Sequence, residues 1–305
     1  MSTALADSPA ATTADDTPTP TGAAPAPTRP LKVRRMSFDT DEGIERRHFA
    51  GGDLVMSHIV SVLSGFFPEG EDYFVRSVRA FRDGIDDPEL KRQVAGFIGQ
   101  EAIHGREHRE LNDRLRAMGY LSHVVDRFTK VSLGLDERFA PARYRLAVTA
   151  ALEHYTATLA EVLLGDDEAR AELDDDEVKA ILLWHAVEES EHKAVAFDVY
   201  QQVCGDHALR RRAMTIISVG FIGSATAFTL ASLALDPASR DLRRLGRSLG
   251  RVRHSPWLGA EVRRRIRDYY REDFHPDDHD ATALLEEWRE RLFGTEGDLA
   301  DRLAG

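Results

Sequence analysis

Two octapeptides decide the fold: residues 101–108 read EAIHGREH, and residues 185–192 read HAVEESEH. Each contains the spacing Glu-x-x-His and one further histidine, His108 after the first pair and His185 before the second. Positions three and four residues apart lie on one face of an α-helix. Each octapeptide therefore presents a carboxylate and two imidazoles in one direction, which suits the binding of a metal ion.

Two further glutamates would complete a ligand set for two metal ions. Helical bundles that bind two iron or manganese ions use one glutamate from each of two helices and a Glu-x-x-His from each of two others. Glu71 and Glu153 are the candidates for the single glutamates, and Glu69 is the alternative to Glu71. We therefore predict a dinuclear metal site.

Prolines, aspartates and glycines mark where the helices that carry these residues begin and end. They predict an all-α protein with long helices over residues 69–84, 88–118, 141–165 and from 176 to about 204. If neighbouring helices pair as antiparallel hairpins, Glu71 lies opposite Glu101. In the second hairpin, Glu153 and Glu189 lie at nearly the same number of residues from the turn. Both hairpins would then bring their carboxylates together.

Composition limits the class of protein. The 305 residues are 42% hydrophobic and 30% charged, which is enough apolar material for a substantial core. The net charge of −12 argues against general nucleic-acid binding. A single cysteine, Cys204, excludes an intramolecular disulfide framework. With no secretory signal recognised, we predict a cytoplasmic protein and keep membrane association as the alternative.

Three segments are predicted along the chain. Residues 1–33, rich in Ala, Pro and Thr, are expected to form a disordered tail because they carry too little apolar surface to fold. Residues 34–210 form the metal-binding helical bundle. Residues 211–305 add an apolar helix and basic helices packed on the same domain.

The segment 213–235 is uncharged and long enough to span a bilayer, yet it holds six Ser or Thr residues. We favour a buried central helix that closes the substrate side of the bundle, with Phe221 and Phe228 in the pocket wall. Contact with a membrane and a homodimer interface are the alternatives. We interpret the arginines of residues 240–253 and 263–267 as a solvated face that pairs with acidic residues, with a membrane-surface site as the alternative.

Several motifs resemble those of a known family. They are FPEGE at 67–71, QExxHxxxH at 100–108, EH at 153–154, HxxxExxHK at 185–193 and FHP at 274–276. Together they resemble the bacterial family labelled "predicted metal-dependent hydrolase", over roughly residues 35–293. The resemblance implies a metal-dependent protein.

The ligand pattern is also similar to that of the arylamine N-oxygenases, which are ferritin-like di-iron enzymes. This resemblance implies a ferritin-like helical bundle, here with additional C-terminal helices. It implies seven metal ligands: Glu71, Glu101, His104, Glu153, His185, Glu189 and His192. His108 has no counterpart in that pattern. We place it beside a ligand or facing the substrate, and do the same for Glu69, Asp198 and Tyr155.

These observations lead to one preferred function and two alternatives. We predict a non-haem di-iron oxygenase or oxidase that uses O2 and an external electron donor on a small, apolar organic substrate. Carboxylates and imidazoles suit two iron ions, with manganese or zinc as alternatives. The first alternative function is a hydrolase that activates water at a dinuclear site. The second is ferritin-like iron handling.

Overall fold

The computed structural model describes residues 31–303, and within them the chain consists of α-helices joined by short connections. The one β-type pairing in this part is an isolated bridge between Met36 and Leu303. The prediction of an all-α helical bundle is confirmed. The predicted disordered tail falls, for residues 1–30, outside the described residues.

Ten helices of nine or more residues follow one another along the described chain. They are α1 (Leu54–Arg79), α2 (Pro88–Ala117), α3 (Ser122–Phe139), α4 (Ala142–Gly165), α5 (Asp176–His192), α6 (Val195–Val203), α7 (His207–Leu235), α8 (Leu242–Val252), α9 (Ala260–Asp268) and α10 (Thr282–Phe293). Shorter helical segments are Thr40–Gly43 and Asp167–Ala171, and 3-10 turns cover Arg82–Gly84, Pro237–Arg240, Pro256–Leu258, Pro276–Asp278 and Ala300–Arg302.

Aspartates define where half of these ten helices begin. The side chains of Asp53, Asp87, Asp175, Asp206 and Asp241 accept hydrogen bonds from backbone N–H groups in the first turns of α1, α2, α5, α7 and α8. The first N–H groups of a helix have no partner within it, so each cap satisfies one that would otherwise be unpaired. The sequence thus sets the helix starts locally.

Four helices, α1, α2, α4 and α5, form the central bundle. α1 packs against α2, and α4 packs against α5, as the predicted hairpins require. Contacts of α1 with α4 and of α2 with α5 close the bundle. Helices α3 and α7 lie against α1, and α7 also packs on α4.

Two hydrophobic clusters fill the bundle, separated by a polar level. Along α2, Phe97 belongs to one cluster and Leu111 to the other, with the octapeptide 101–108 between them. The second octapeptide likewise lies between Trp184 and Val195, which belong to different clusters. The motif residues therefore occupy a level in the middle of the bundle, enclosed by apolar side chains on both sides.

α1 begins well before Pro68, where the predicted helix started, and the proline lies inside it. Proline has no N–H, so the carbonyl of Ser64 loses its usual helical partner. Asn112 on α2 replaces that partner, because its Nδ2 donates to Ser64 O at 2.9 Å. The helix therefore continues through the proline because a neighbouring helix supplies the missing donor, which no local pattern indicates.

Replacing Asn112 with alanine is expected to lower the free energy of unfolding by about 1–3 kcal/mol, because Ser64 O is then buried without a partner. Denaturant unfolding measures this cost. In a Pro68→Ala background the backbone N–H is restored, so the same substitution should cost clearly less. Equal costs in the two backgrounds would show that Asn112 does not compensate for the proline.

The helix predicted from 176 to about 204 is two helices, α5 and α6, with a break at Lys193 and Ala194. Lys193 is buried, and its ammonium group donates to Glu161 at 2.8 Å and to the carbonyl of His279. The break follows directly after His192, so the second octapeptide lies at the C-terminal end of α5.

The chain reaches the bundle before the position where the predicted tail ends. A Cβ atom on Gly96 would lie 2.5 Å from the Leu31 side chain, and one on Gly99 would lie 2.5 Å from Val33. Gln100 also donates to the carbonyl of Lys32 at 3.2 Å. The two glycines thus let residues 31–33 run closely along α2.

α7 lies on the outside of the bundle, so the expectation of a buried central helix is wrong. Its inner side packs through Phe221 against Phe66 of α1 and Tyr155 of α4. Its outer side leaves Val219 and Leu230 exposed by 72% and 60%. Among the described residues, α7 is the one helix that is long and apolar enough to cross a membrane. An uncharged segment indicates that a helix prefers an apolar environment. Its composition does not indicate whether the rest of the protein provides that environment.

Candidate metal centre

All seven predicted metal ligands meet at the polar level of the bundle. α1 and α4 contribute one glutamate each, α2 contributes Glu-x-x-His, and α5 contributes His-x-x-x-Glu-x-x-His. None of the seven is more than 4% exposed: Glu71, Glu101, His104, Glu153, His185, Glu189 and His192. The helical spacing of the motifs therefore places the carboxylates and imidazoles on the inward faces, as predicted.

The two motif glutamates lie between the two motif histidines. Glu101 Oε1 is 3.0 Å from His192 Nε2 and 3.7 Å from His104 Nδ1. Glu189 Oε1 is 3.4 Å from His104 Nδ1 and 3.5 Å from His192 Nε2. Each carboxylate thus approaches both imidazoles, which is the position of a group that could bridge two cations.

The remaining three residues lie around this central group. His185 Nε2 is 2.9 Å from Glu189 Oε1 and 3.7 Å from Glu71 Oε1. Glu153 Oε2 is 3.4 Å from His192 Nε2. Sets of three ligand atoms within 4.8 Å of one another include Glu71 with Glu101 and His104, and Glu101 with Glu189 and His192. Glu153 belongs to none of these compact sets.

Many polar atoms of this cluster are buried without a hydrogen-bond partner. They are both carboxylate oxygens of Glu71, Glu101 and Glu153, Glu189 Oε2, His104 Nδ1 and His192 Nε2. A buried polar group without a partner costs about 1–3 kcal/mol, and such groups are rare in native proteins. So many at one point fit bound cations, because all these atoms can donate an electron pair to a metal. The residues present therefore suit a metal centre.

Protons occupy the cluster when it is free of metal. Burial, together with the charge of Glu101, raises the pKa of Glu71 well above its ordinary value. Burial, with Glu189 and Glu101, raises the pKa of Glu153 to about 8. Although burial opposes it, the neighbouring carboxylates of Glu188 and Glu189 raise the pKa of His104 to about 10. Metal binding would displace such protons, so affinity should rise with pH.

The stability of the metal-free protein is expected to fall as pH rises from about 5 to about 8. Glu153 has a pKa of about 8 in the folded protein and an ordinary value of 4.5. The folded state therefore retains a proton that the unfolded chain loses, so this stabilisation is present at low pH and disappears as pH passes through 8. Melting temperatures of chelator-treated protein measure the decline.

The variant Glu153→Gln tests the origin of that decline, because its amide does not titrate. Its melting temperature should fall less than that of the wild type between about pH 5 and about pH 8.5. An equally steep fall in both proteins would assign the pH dependence to other groups. Saturating divalent metal should reverse the trend in the wild type, since the ligands bind metal when deprotonated.

Each histidine among the predicted ligands has one ring nitrogen held by a neighbour. His104 Nε2–H donates to Glu188 Oε2 at 3.0 Å, so its Nδ1 lone pair faces the cluster. His192 Nδ1–H donates to Gln100 Oε1 at 3.0 Å, which leaves Nε2 facing the cluster. Hydrogen bonds of this kind fix the tautomer and the ring orientation of metal-binding histidines.

His185 is held in the same way, by the additional histidine of the first octapeptide. His185 Nδ1 lies 2.9 Å from His108 Nε2, and His108 Nδ1 lies 3.1 Å from Ser64 Oγ. If His185 Nε2 faces a metal, its Nδ1–H donates to His108, which in turn donates to Ser64. His108 therefore lies beside His185, one of the predicted ligands.

Arg34 connects the residues that hold two of the predicted ligand histidines. Its guanidinium binds Glu188 at 3.0 Å and Glu191 at 2.8 Å. Glu191 also accepts a hydrogen bond from Gln100 Nε2 at 2.9 Å. Arg34 therefore acts on His104 through Glu188, and on His192 through Glu191 and Gln100. It is 5% exposed and lies more than 60 residues before either octapeptide in the sequence.

Aromatic rings line the cluster. The ring centroid of Phe67 lies 4.5 Å from that of His108 and 4.9 Å from that of His185. The ring centroids of Phe97 and His192 are 4.9 Å apart, and those of Trp184 and His104 are also 4.9 Å apart. These side chains exclude water from the imidazoles and strengthen electrostatic interactions within the cluster.

The other predicted site residues lie elsewhere. Glu69 points away from the cluster and accepts a hydrogen bond from Lys130 at 2.9 Å, so Glu71 is the glutamate of α1 that faces inward. Asp198 pairs with His275 Nε2 at 2.8 Å, outside the cluster. Tyr155 donates to Ser218 Oγ of α7 at 2.8 Å.

Several residues that support the cluster were not predicted as site residues. Glu188 has a sequence signal, because it lies three residues after His185 and four before His192 on the same helix face, which is compatible with a surface position or with a place beside a ligand. Gln100 precedes the first motif directly but has no periodic signal of its own. Nothing in the sequence near Arg34 or Ser64 indicates their contacts with the cluster.

Comparison with known proteins gives one match. Residues 32–280 match a family model described as "Predicted metal-dependent hydrolase". No curated protein and no solved structure matches the chain. The matched range contains every residue of the cluster and Arg34.

Proposed function

The chain belongs to the family of predicted metal-dependent hydrolases, and from this premise we propose that it is an enzyme with a dinuclear metal centre inside its helical bundle. The observation that carries the proposal is the convergence of buried carboxylate oxygens and imidazole nitrogens that have no hydrogen-bond partner. Glu71, Glu101, Glu153 and Glu189 could contribute four negative charges, which two divalent ions would neutralise.

We assign the metal ligands as the seven residues of the cluster. Glu101 and Glu189 take the central positions, since each approaches both His104 and His192. The three histidines present one lone pair each, because their other nitrogens are held by Glu188, Gln100 and His108. Iron, manganese and zinc all suit this mixture of oxygen and nitrogen donors.

Hydrolysis is the reaction that we propose first, because the family description names it. Two bound cations would lower the pKa of a water molecule and polarise a carbonyl or phosphoryl oxygen of the substrate. The protein would hold the metal-facing nitrogens in orientation through Glu188, Gln100 and His108. Phe67, Phe97 and Trp184 would keep other water molecules away from the ligands. The substrate that we expect is small and apolar, since the adjacent Phe66 and Phe67 contact Phe221 of α7 and His185 of the cluster, respectively.

An oxygenase or oxidase is the second candidate. The observation that supports it is the enclosure of four carboxylates and three histidines by aromatic rings, which keeps bulk water away from the site. The same ligands can hold two iron ions, and the protein would then supply orientation and a dry site for the chemistry of iron with O2. This reaction would need an external electron donor.

The two reactions differ in their need for oxygen and for a redox-active metal. Purified protein would be stripped of metal and loaded anaerobically with Fe(II), Mn(II) or Zn(II), and the metal bound per chain would be measured. Ester and phosphoester hydrolysis would then be assayed without O2, and O2 consumption would be assayed with a reductant and small apolar substrates.

Hydrolysis without O2 by the zinc or manganese protein would support the first proposal. O2 consumption that yields an oxidised organic product, with iron alone, would support the second. Iron oxidation without an organic product would turn the interpretation to iron handling. Failure to bind any of these metals would contradict the metal centre itself.

A further inference from the structure

α7 presents a largely apolar surface to the outside from residue 213 to its C-terminal end. From Ala213 to Leu235 it has no charged residue, and only 17% of its most apolar stretch is buried. Val219, Leu230 and Leu235 are 72%, 60% and 67% exposed. Single exposed apolar residues are ordinary on a protein surface, but a continuous strip of them marks an interaction site.

α3 extends this surface. Its exposed apolar residues recur at helical spacing on one face, and they are exposed by 39% to 72%: Val124, Phe128, Val131, Leu135 and Phe139. The ring of Phe128 lies 5.1 Å from that of Phe228 on α7. The exposed residues of α3 and α7 therefore form one surface, which we call the apolar face.

Arginines lie at both ends of α7. Two arginines that are exposed and unpaired precede its uncharged stretch, and three more follow it, one in the next turn and two in α8, where Leu242 and Leu249 are also exposed. These arginines are exposed, and none pairs with a carboxylate of the described residues: Arg211, Arg212, Arg240, Arg243 and Arg247. Farther along, Arg264 and Arg265 do pair with acidic residues, as predicted for the basic segments. The unpaired arginines are notable in a chain of net charge −12.

We propose that the apolar face docks on the surface of a lipid bilayer with anionic headgroups, with α7 lying in the plane of the membrane. A helix that inserts its apolar side at the headgroup boundary and carries basic residues is held by apolar burial and by attraction to anionic lipid. α7 does not span the bilayer, because its other side packs on α1 and α4 through Met214, Phe221 and Leu233.

Charge favours a bilayer over a second copy of the chain. In a symmetric pair, the same surface would face itself, and two-fold antiparallel packing of α7 would bring the arginine-rich ends together. Like charges opposed across an interface weaken association. Phosphate groups of an anionic bilayer would instead lie against every arginine at the edges of the apolar face.

Flotation of the full-length, metal-loaded protein with lipid vesicles tests the proposal. Binding is expected to vesicles of phosphatidylcholine mixed with phosphatidylglycerol, to be weak on phosphatidylcholine alone, and to fall as salt increases. Arg243→Gln combined with Arg247→Gln should weaken binding to the mixed vesicles roughly 30-fold. Val219→Ser combined with Leu230→Ser should weaken binding to both kinds of vesicle.

A matched control removes the same charge elsewhere. Arg92 and Arg116 on α2 are exposed and pair with Glu89 and Asp113, so Arg92→Gln combined with Arg116→Gln should leave vesicle binding unchanged. Metal content and circular dichroism of every variant should match the wild type, since all the changed side chains are exposed. The vesicle-binding experiment therefore tests membrane docking independently of the proposed metal centre.

Two results would overturn the proposal. One is the absence of binding to mixed vesicles by the wild-type protein at low salt. The other is a stable dimer in light scattering that Val219→Ser with Leu230→Ser converts to a monomer, which would assign the apolar face to self-association.

Discussion

Replacing Glu101 with glutamine is expected to reduce metal affinity by about 100-fold or more, beyond the 10–100-fold typical of residues that only support a ligand. Glu101 approaches both His104 and His192, and neither of its oxygens has a hydrogen-bond partner. An amide of the same shape loses the negative charge and one ligating oxygen. Metal content after dialysis and competition with a chelator of known affinity measure the loss, and turnover should fall with it.

The stability of the metal-free variant separates a lost ligand from a damaged fold. In the wild type, the charge of Glu101 contributes to the raised pKa values of Glu71 and Glu153. Removing that charge relieves Glu71 and Glu153 but also takes an anion from beside His104 and His192, so the stability of the metal-free variant should stay close to that of the wild type. The large increase in melting temperature that metal gives the wild type should disappear.

Glu69→Gln is the matched control for this experiment. Glu69 lies on α1 only two residues before Glu71, but its carboxylate pairs with Lys130 at the surface. Its substitution should leave metal content unchanged. Equal metal loss in Glu69→Gln and Glu101→Gln would contradict the assignment of the centre to the buried cluster.

Replacing Arg34 with methionine is expected to lower the free energy of unfolding by about 3–5 kcal/mol, because it leaves buried carboxylates without their cation. Glu191 keeps Arg289 and Gln100 as partners, whereas Glu188 keeps only His104. Urea unfolding of the metal-free protein measures the cost. Metal affinity should also fall by about 10–100-fold, because His104 and His192 lose the supports that orient them.

Two comparisons isolate the role of Arg34. Arg46→Met breaks a pair with Asp174 in which both side chains are exposed, so it should cost less than about 1 kcal/mol. Arg34→Lys keeps the charge but not the planar group that reaches both Glu188 and Glu191. It should recover part of the stability and less of the metal affinity. A cost for Arg34→Met as small as that for Arg46→Met would mean that the buried pair is not required.

Much of the fold and of the candidate site follows from local sequence. Helical spacing of three and four residues predicts that each octapeptide presents its predicted ligands on one face. Glu71 and Glu101 lie the same number of residues from the turn between their helices, which predicts that they meet. The aspartate caps and proline predict the start of α2 closely. These features depend on residues near one another in the chain, so the pattern of a single helix is enough to reveal them.

Other features depend on packing between distant segments. Pro68 reads as a helix start, yet α1 continues through it because Asn112 supplies a donor from α2. The uncharged stretch of α7 reads as a buried helix, yet other helices already fill the interior and leave it outside. A hydrophobic pattern states that a segment prefers an apolar neighbour, and the arrangement of the whole chain decides which neighbour it finds.

The sequence by itself determined the helical class, the ligand motifs and the family, because each is written in residue types at short, regular spacing. Tertiary structure alone decided whether Glu69 or Glu71 faces the interior of the bundle. They are two residues apart, about 200° around the helix, so only one can face the bundle once α1 packs on α2. The tertiary structure alone also brings Arg34 to Glu188, which lies 154 residues later in the sequence. Such partners are chosen by how the helices pack, since a buried carboxylate must find a cation wherever the fold places one.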